Sequence, residues 1–270
     1  MRMGSPWSGL IGPALLLLLV LAALLAPLLA PGDPLDMVAR PLTAPFTDAW
    51  FPLGTDQLGR DVWAGLVHGA RVSLVVGLAA AAATLGAGIL VGTVAGWGGL
   101  VDDGLMRLTE AFQTVPTFLL ALALVSVLGA SAGNVVLAIA ISSWPPAARL
   151  VRAEVLRVKT LDYVDAARIA GMAPLAIAFV EVLPGALQPV VALAGITVGE
   201  AILVESALAF LGLGDPNLVK LARWCEWPGP HLAWPPSLVI LPGLCIAMAV
   251  LAVSLTGDGL ARRLGLGTRS

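Results

Sequence analysis

The sequence predicts an all-α polytopic membrane protein: six transmembrane helices with a helical elbow on the cytoplasmic face. Three observations point there. Mean hydropathy is +0.95 and only 12% of residues are charged, about half the share usual in a soluble domain, so most of the chain belongs in lipid. Apolar runs of about twenty residues, the length that crosses a bilayer, recur along the chain. One polar, helix-forming interruption, residues 162–189 (DYVDAARIAGMAPLAIAFVEVLPGALQP), lies between the later runs.

The first run, residues 10–30, follows Arg2. It is longer than the core of a secretory signal and lacks a clean small-x-small cleavage site, so it reads as an uncleaved anchor. The second, residues 72–95, carries Ala80, Thr84, Gly88, Gly92 and Gly96 on one stripe at four-residue spacing. Small residues so spaced let two backbones approach closely, and the stripe is a packing face. Whether it meets a helix of this chain or of a partner stays open at this level. The third run is 112–128 and the fourth 134–150, cut near its end by Pro145 and Pro146, which a membrane helix tolerates when neighbours satisfy the freed carbonyls. The fifth and sixth are 183–204 and 237–255. This divides the chain into an anchor with an external loop (1–71), a transmembrane domain (72–260, with a coupling segment at about 160–184) and a tail (261–270).

Basic residues are retained on the cytoplasmic side. With the amino terminus inside, Arg2, Arg107, Arg149, Arg152, Arg157, Lys159, Arg168, Arg262, Arg263 and Arg269 are cytoplasmic, whereas Arg40, Arg60, Arg71, Lys220 and Arg223 are external. The bias places both termini and the elbow in the cytoplasm. A net charge of -2 offers no basic face for phosphates, so no nucleic acid is expected as partner.

The external loop, residues 31–71, ends in FPLGTDQLGRDVWAGLVHGARVSL, where Gly54 and Gly59 permit tight turns. From Asp61 the residues suit an interfacial helix that leads into the second run, with Val62, Leu66 and Val67 on one side and Arg60, Asp61 and His68 able to face water.

Catalytic constellations are missing from the sequence. There is no G-x-x-x-x-G-K-[ST] loop and no H-E-x-x-H, and the two histidines, His68 and His231, are too isolated for a metal centre. Asp102 and Asp103 abut a membrane face instead of sitting inside spans, and Cys225 and Cys245 fall too far apart in the predicted topology for a disulfide. No cofactor or metal is therefore expected on this chain. Glu200 and Glu205 fall in or at the outer end of the fifth run, where a carboxylate either lines a pathway or is held by the interface or a polar neighbour. Trp224, Trp227 and Trp234 read as an aromatic belt at the outer interface.

Within the elbow, Asp162 and Asp165 suit a first helical turn and Gly171 its end. Pro174 can open a second short helix running to about Val182, and Pro184 is expected to stop it before the fifth span. The elbow is either a packed surface loop or a shape that a soluble protein grips.

Asp165-Ala166-Ala167, then Gly171, then Leu183-Pro184 resemble the EAA motif of ABC-importer permeases, the segment that fits a cleft in the ATPase. GTDQLGRD with GARVSL, WPPAARLVRAEVL, ESALAFLGLG and TGDGL resemble, more specifically, the second permease subunit of dipeptide, oligopeptide and nickel importers, over about residues 51–260. Asp165 stands for the motif's Glu, Glu181 and Gly185 depart from the family pattern, the second short helix lacks its usual basic residues, and the tail lacks the usual continuation.

The resemblance implies a type I ABC importer permease fold, multi-pass in the bacterial or archaeal inner membrane and embedded in lipid. It implies a heterodimer with a second permease subunit, two cytoplasmic ABC ATPase subunits that bind ATP and Mg, and an external substrate-binding protein. The cargo class is peptides or similar small solutes, nickel among them. Coupling falls to Asp165, Ala166, Ala167, Gly171, Leu175, Leu183 and Pro184. Against this stand a homo-oligomeric channel, for which these runs hold few polar residues, and a membrane scaffold, which would need no shaped external loop.

Overall fold

The computed structural model describes residues 8–215, 218, 219, 221 and 236–263. Every regular element among them is helical: α1 (Ser8–Leu24), α2 (Ala26–Leu29), α3 (Val62–Trp97), α4 (Gly99–Gln113), α5 (Thr117–Leu128), α6 (Ala132–Ser143), α7 (Pro145–Val158), α8 (Asp162–Ile169), α9 (Pro174–Ala176) with a π-helical turn (Ile177–Val182), α10 (Leu183–Ala186), α11 (Gln188–Phe210) and α12 (Ser237–Arg263).

Helices α3, α11 and α12 are each long and apolar enough to cross a membrane. Two bent helix pairs are together long and apolar enough for one crossing each, so the third and fourth apolar runs are broken rods and not straight ones. Between α4 and α5 the chain turns by 87° and between α6 and α7 by 49°. Both bends fall at prolines, Pro116 in the first and Pro145 in the second, whose missing N–H and ring disfavour a straight α-helix. Residues 112 and 113 therefore lie on the α4 arm, before the bend, and not in one straight helix with 117–128. The expected first span is shorter than foreseen: α1 closes at Leu24, and only the four-residue α2 continues it.

The second span starts ten residues before the expected Val72, because no break separates the segment after Asp61 from it. Asp61 caps this helix by accepting from the Trp63 amide at 2.9 Å. Burial pushes its carboxyl above the ordinary range, against the pull of the Trp63 and Ala64 amides. At 36 residues α3 is about 54 Å long, well beyond a hydrocarbon core of about 30 Å. The excess at its amino-terminal end is sheathed: Val62 and Leu66 are buried among Leu42, Leu53, Leu221 and Leu238, and His68 Nε2 lies 3.1 Å from the Ala30 carbonyl. No separate interfacial helix forms.

The loop over that end is tied by its own polar groups. Asp56 accepts from the Leu58 and Arg60 amides at 2.8 Å each, and the Thr55 hydroxyl donates to the Arg40 carbonyl.

The main core joins α1, α3, α5, α6, α11 and α12, with Ala80, Ala81, Val125, Ile139, Ile202 and Leu208 at its centre. Hydroxyls inside the membrane helices bond back to the preceding turn, as Thr93 does to the Ile89 carbonyl and Thr197 to that of Leu193. The crossing of α11 and α12 is set by two glycines: a Cβ at Gly195 would stand 2.9 Å from the Gly257 Cα.

The small-residue stripe of α3 faces α7 of the same chain. A Cβ added at Gly88 would meet Ala147 at 2.4 Å, at Gly92 the Ala148 carbonyl at 2.5 Å, and at Gly96 the Val155 Cβ at 2.7 Å. Backbones that close exclude lipid and make the seam a tightly packed strut to the carboxy end of α3.

Candidate functional site

At the end of that strut the chain turns into the elbow. Leu161 opens α8, with Asp162 and Asp165 in its first turn, where carboxylates suit the positive end of the helix. The helix ends in a Schellman motif: the Gly171 amide donates to the Arg168 carbonyl at 3.0 Å and the Met172 amide to that of Ala167 at 3.2 Å. Gly171 takes φ +79°, a left-handed conformation costly for a residue with a Cβ.

The second arm differs from expectation. Pro184 does not stop it, since the helix continues through a π turn into α10. In that turn the Leu183 amide donates five residues back, to the Ala178 carbonyl, and the widened register falls beside the residue that has no N–H to give. Leu183 and Pro184 are thus links in a nearly continuous arm that passes into α11, a stiffer connection than an interrupted loop.

The elbow's inner face is a small core of its own. Val164, Ala167, Ile177, Val182 and Ala186 pack on Val151, Val155 and Val158 of α7. The Tyr163 hydroxyl donates to the Glu181 carbonyl across the two arms at 3.3 Å. Its outer face is open: Ile169 is 89% and Leu175 70% exposed, and Asp165, Ala166 and Gly171 are exposed with them, whereas Ala167 is buried. The tip therefore presents apolar side chains to its surroundings.

Polar ties brace the elbow against the rest. Asp102 on α4 takes a bidentate clasp from Arg152 on α7, at 2.5 and 2.6 Å. Lys159 donates to the Gly96 carbonyl at 2.8 Å, capping the carboxy end of α3. Arg168 pairs with Asp165 at 2.7 Å and stands 5.9 Å from the Trp97 ring centroid. In the sequence these cations mark only orientation. The Asp165 and Arg168 spacing of three residues was a visible sign of their pairing, but nothing local links Arg152 to a residue fifty positions away.

Glu200 and Glu205 are not brought together. Glu205 is fully buried within α11, five residues inside the helix end at Phe210. Glu200 is exposed on the opposite side, in line with the exposed Ile196 and Leu203. The expected aromatic belt, with Cys225 and His231, lies outside the described residues, and among those described no group of His, Cys, Asp and Glu could hold a metal ion.

Residues 84–269 match the family model described as binding-protein-dependent transport system inner membrane component. The chain belongs to this family. It is a permease component of an importer in the inner membrane. The di/tripeptide transport system permease protein DppC of Pseudomonas aeruginosa is 41% identical over 258 residues, covering 92% of this chain and 84% of that protein. The dipeptide transport system permease protein DppC of Haemophilus influenzae is 34% identical over 260 residues, 93% of this chain and 88% of that one. In three dimensions the chain resembles the MetNI methionine ABC transporter in an inward-facing conformation, with TM-score 0.61 and 17% identity over 74% of this chain and 95% of that one. That likeness establishes the fold.

Proposed function

We propose that this permease carries peptides, as its DppC relatives are named for doing, and that its elbow is the point where ATP hydrolysis in separate cytoplasmic subunits is coupled to transport. The carrying observation is the exposed apolar tip, Ile169 and Leu175 around Gly171, mounted on a packed inner face. In this reading the chain pairs with a second permease of similar fold. Two ATPase subunits bind ATP and Mg, and an external binding protein delivers the peptide. The chain itself hydrolyses nothing and binds no cofactor, and both its termini lie in the cytoplasm.

ATPase closure would press on Asp165, Ala166, Gly171 and Leu175. The arm through Leu183 and Pro184 would carry the displacement into α11, while Ala167 anchors the elbow and the seam at Gly88, Gly92 and Gly96 gives it a rigid support. Glu200 marks the pathway. It lies about 18 Å along α11 on an otherwise apolar exposed face, and a carboxylate at that depth is stable facing water or a partner, not lipid. Glu205 lies behind it as a buried outer-gate element.

The test reconstitutes the complex with its ATPase subunits and binding protein. Gly171→Leu is expected to assemble but to lose most peptide-stimulated ATP hydrolysis, and unchanged hydrolysis with intact assembly would refute the coupling role. Glu200→Gln should alter uptake of cationic peptides more than neutral ones, with Glu205→Gln having the smaller effect; equal uptake across charges would remove both from the pathway. A tagged chain purified from native membranes in mild detergent should bring down a second permease and phosphate-loop ATPases.

A further inference from the structure

Beside the elbow two hollows share one wall. The first is open, about 510 Å³, and lined by Trp97, Lys159, Arg168, Met172, Pro174 and Ile177. Its two cations keep donors to spare. Lys159 gives one of its three to Gly96, and Arg168 engages Asp165 and, at 3.5 Å, the Lys159 carbonyl. Asp165 offsets one charge, which leaves the hollow net positive.

The second hollow, about 140 Å³, is also lined by Trp97. Val94, Val101, Leu175 and Phe179 wall it, all of them partly open to the surroundings. From its mouth the exposed Val94 and Leu90 continue as an apolar track along α3 toward the middle of the bilayer. A cationic hollow, a tryptophan at the boundary and an apolar slot leading into the membrane form the outline of a lipid.

We propose that this double hollow binds an anionic phospholipid of the cytoplasmic leaflet. Its phosphate rests on Lys159 and Arg168, and one acyl chain lies in the slot against Trp97, Val101 and Phe179 and then follows α3. The slot decides for a lipid: a free phosphate or a carboxylate of a protein partner would use the cations and leave the apolar half empty. So placed, the lipid ties the elbow to the ends of α3 and α4, and the charge of the membrane surface bears on an element that moves. Leu175 at the slot is shared with the proposed ATPase contact, whereas the lipid contacts named here fall to Lys159, Arg168, Trp97, Val101 and Phe179.

The test uses the assembled complex, incubated with vesicles of phosphatidylcholine with or without phosphatidylglycerol, repurified and examined by native mass spectrometry. Phosphatidylglycerol should be retained over phosphatidylcholine. Lys159→Gln, which keeps a donor for Gly96, and Arg168→Gln should each lower that preference about fivefold. Val101→Trp, which fills the slot, should lower retention of both lipids. Equal retention of the two lipids by the parent complex overturns the proposal, as does a preference that survives both cation changes. Displacement of phosphatidylglycerol by inorganic phosphate, with retention indifferent to Val101→Trp, would make it a plain anion site and overturn it too. If the double cation variant sheds its ATPase subunits yet keeps the lipid, the cations serve a protein carboxylate and the proposal fails. Should a variant not fold, thermal unfolding of the parent decides: a higher midpoint with phosphatidylglycerol supports the site, and no shift overturns it.

Discussion

Along the seam between α3 and α7, Gly88, Gly92 and Gly96 stand where any side chain would strike the neighbouring helix, whereas a Cβ at Gly171 on the elbow tip would meet nothing within 4 Å. The seam needs glycine for want of space. The tip needs it for a left-handed backbone in the open. One region is therefore closed by contact within the chain, and the other is held in shape while its apolar surface stays open. In the proposed coupling, motion pressed on the tip would meet this packed seam and pass along the arm into α11.

This contrast can be broken experimentally, most severely at the seam. Gly92→Leu should cost more than about 3 kcal/mol, because its side chain cannot fit beside the Ala148 carbonyl. Loss of monodisperse protein in detergent is the readout, and a normally folded Gly92→Leu would dissolve the strut. Gly171→Ala should cost only about 1–2 kcal/mol, from backbone strain alone, seen as a small drop in unfolding midpoint. An Asn in its place should recover part of that, since Asn visits the left-handed region more readily.

Arg152→Ala removes the clasp on Asp102. The two side chains are about one-third and one-sixth exposed, so a loss of about 1 kcal/mol is expected, and a double-mutant cycle with Asp102→Ala isolates it. The smallest effect on stability belongs to Ile169→Ser. At 89% exposure its side chain contributes almost nothing to the isolated chain, so its unfolding midpoint should not move while its coupled ATP hydrolysis falls. A midpoint that does move would mean that the tip is packed and not open.

Much of this was legible in the residues. Hydropathy and run length established a membrane protein, because lipid leaves an unpaired backbone no partner and enforces long apolar helices. The elbow was legible for the opposite reason: Gly171 after a helix with acidic residues in its first turn is a local signal that needs no tertiary information. The proline positions were legible, but not their consequences. Pro116 marks a turn of 87° between α4 and α5, whereas Pro184 is absorbed by a π turn, and the choice rests on what the neighbouring helices offer the freed carbonyls. Glu200 and Glu205 looked alike as two acids in one apolar run, yet burial separates them completely, since five residues rotate a helix by well over a quarter turn.

What the sequence determined by itself is what depends on composition and short spacing: membrane residence, helical class, the elbow and the family motifs it carries. What only the tertiary structure decided is partnership at a distance. The glycine stripe is turned toward α7 and not toward another chain, Arg152 reaches an aspartate fifty residues away, and Trp97, Lys159 and Arg168 converge on one hollow. Such contacts depend on how helices cross, and crossing geometry is set by the summed packing of whole helix faces, which no short stretch of sequence records.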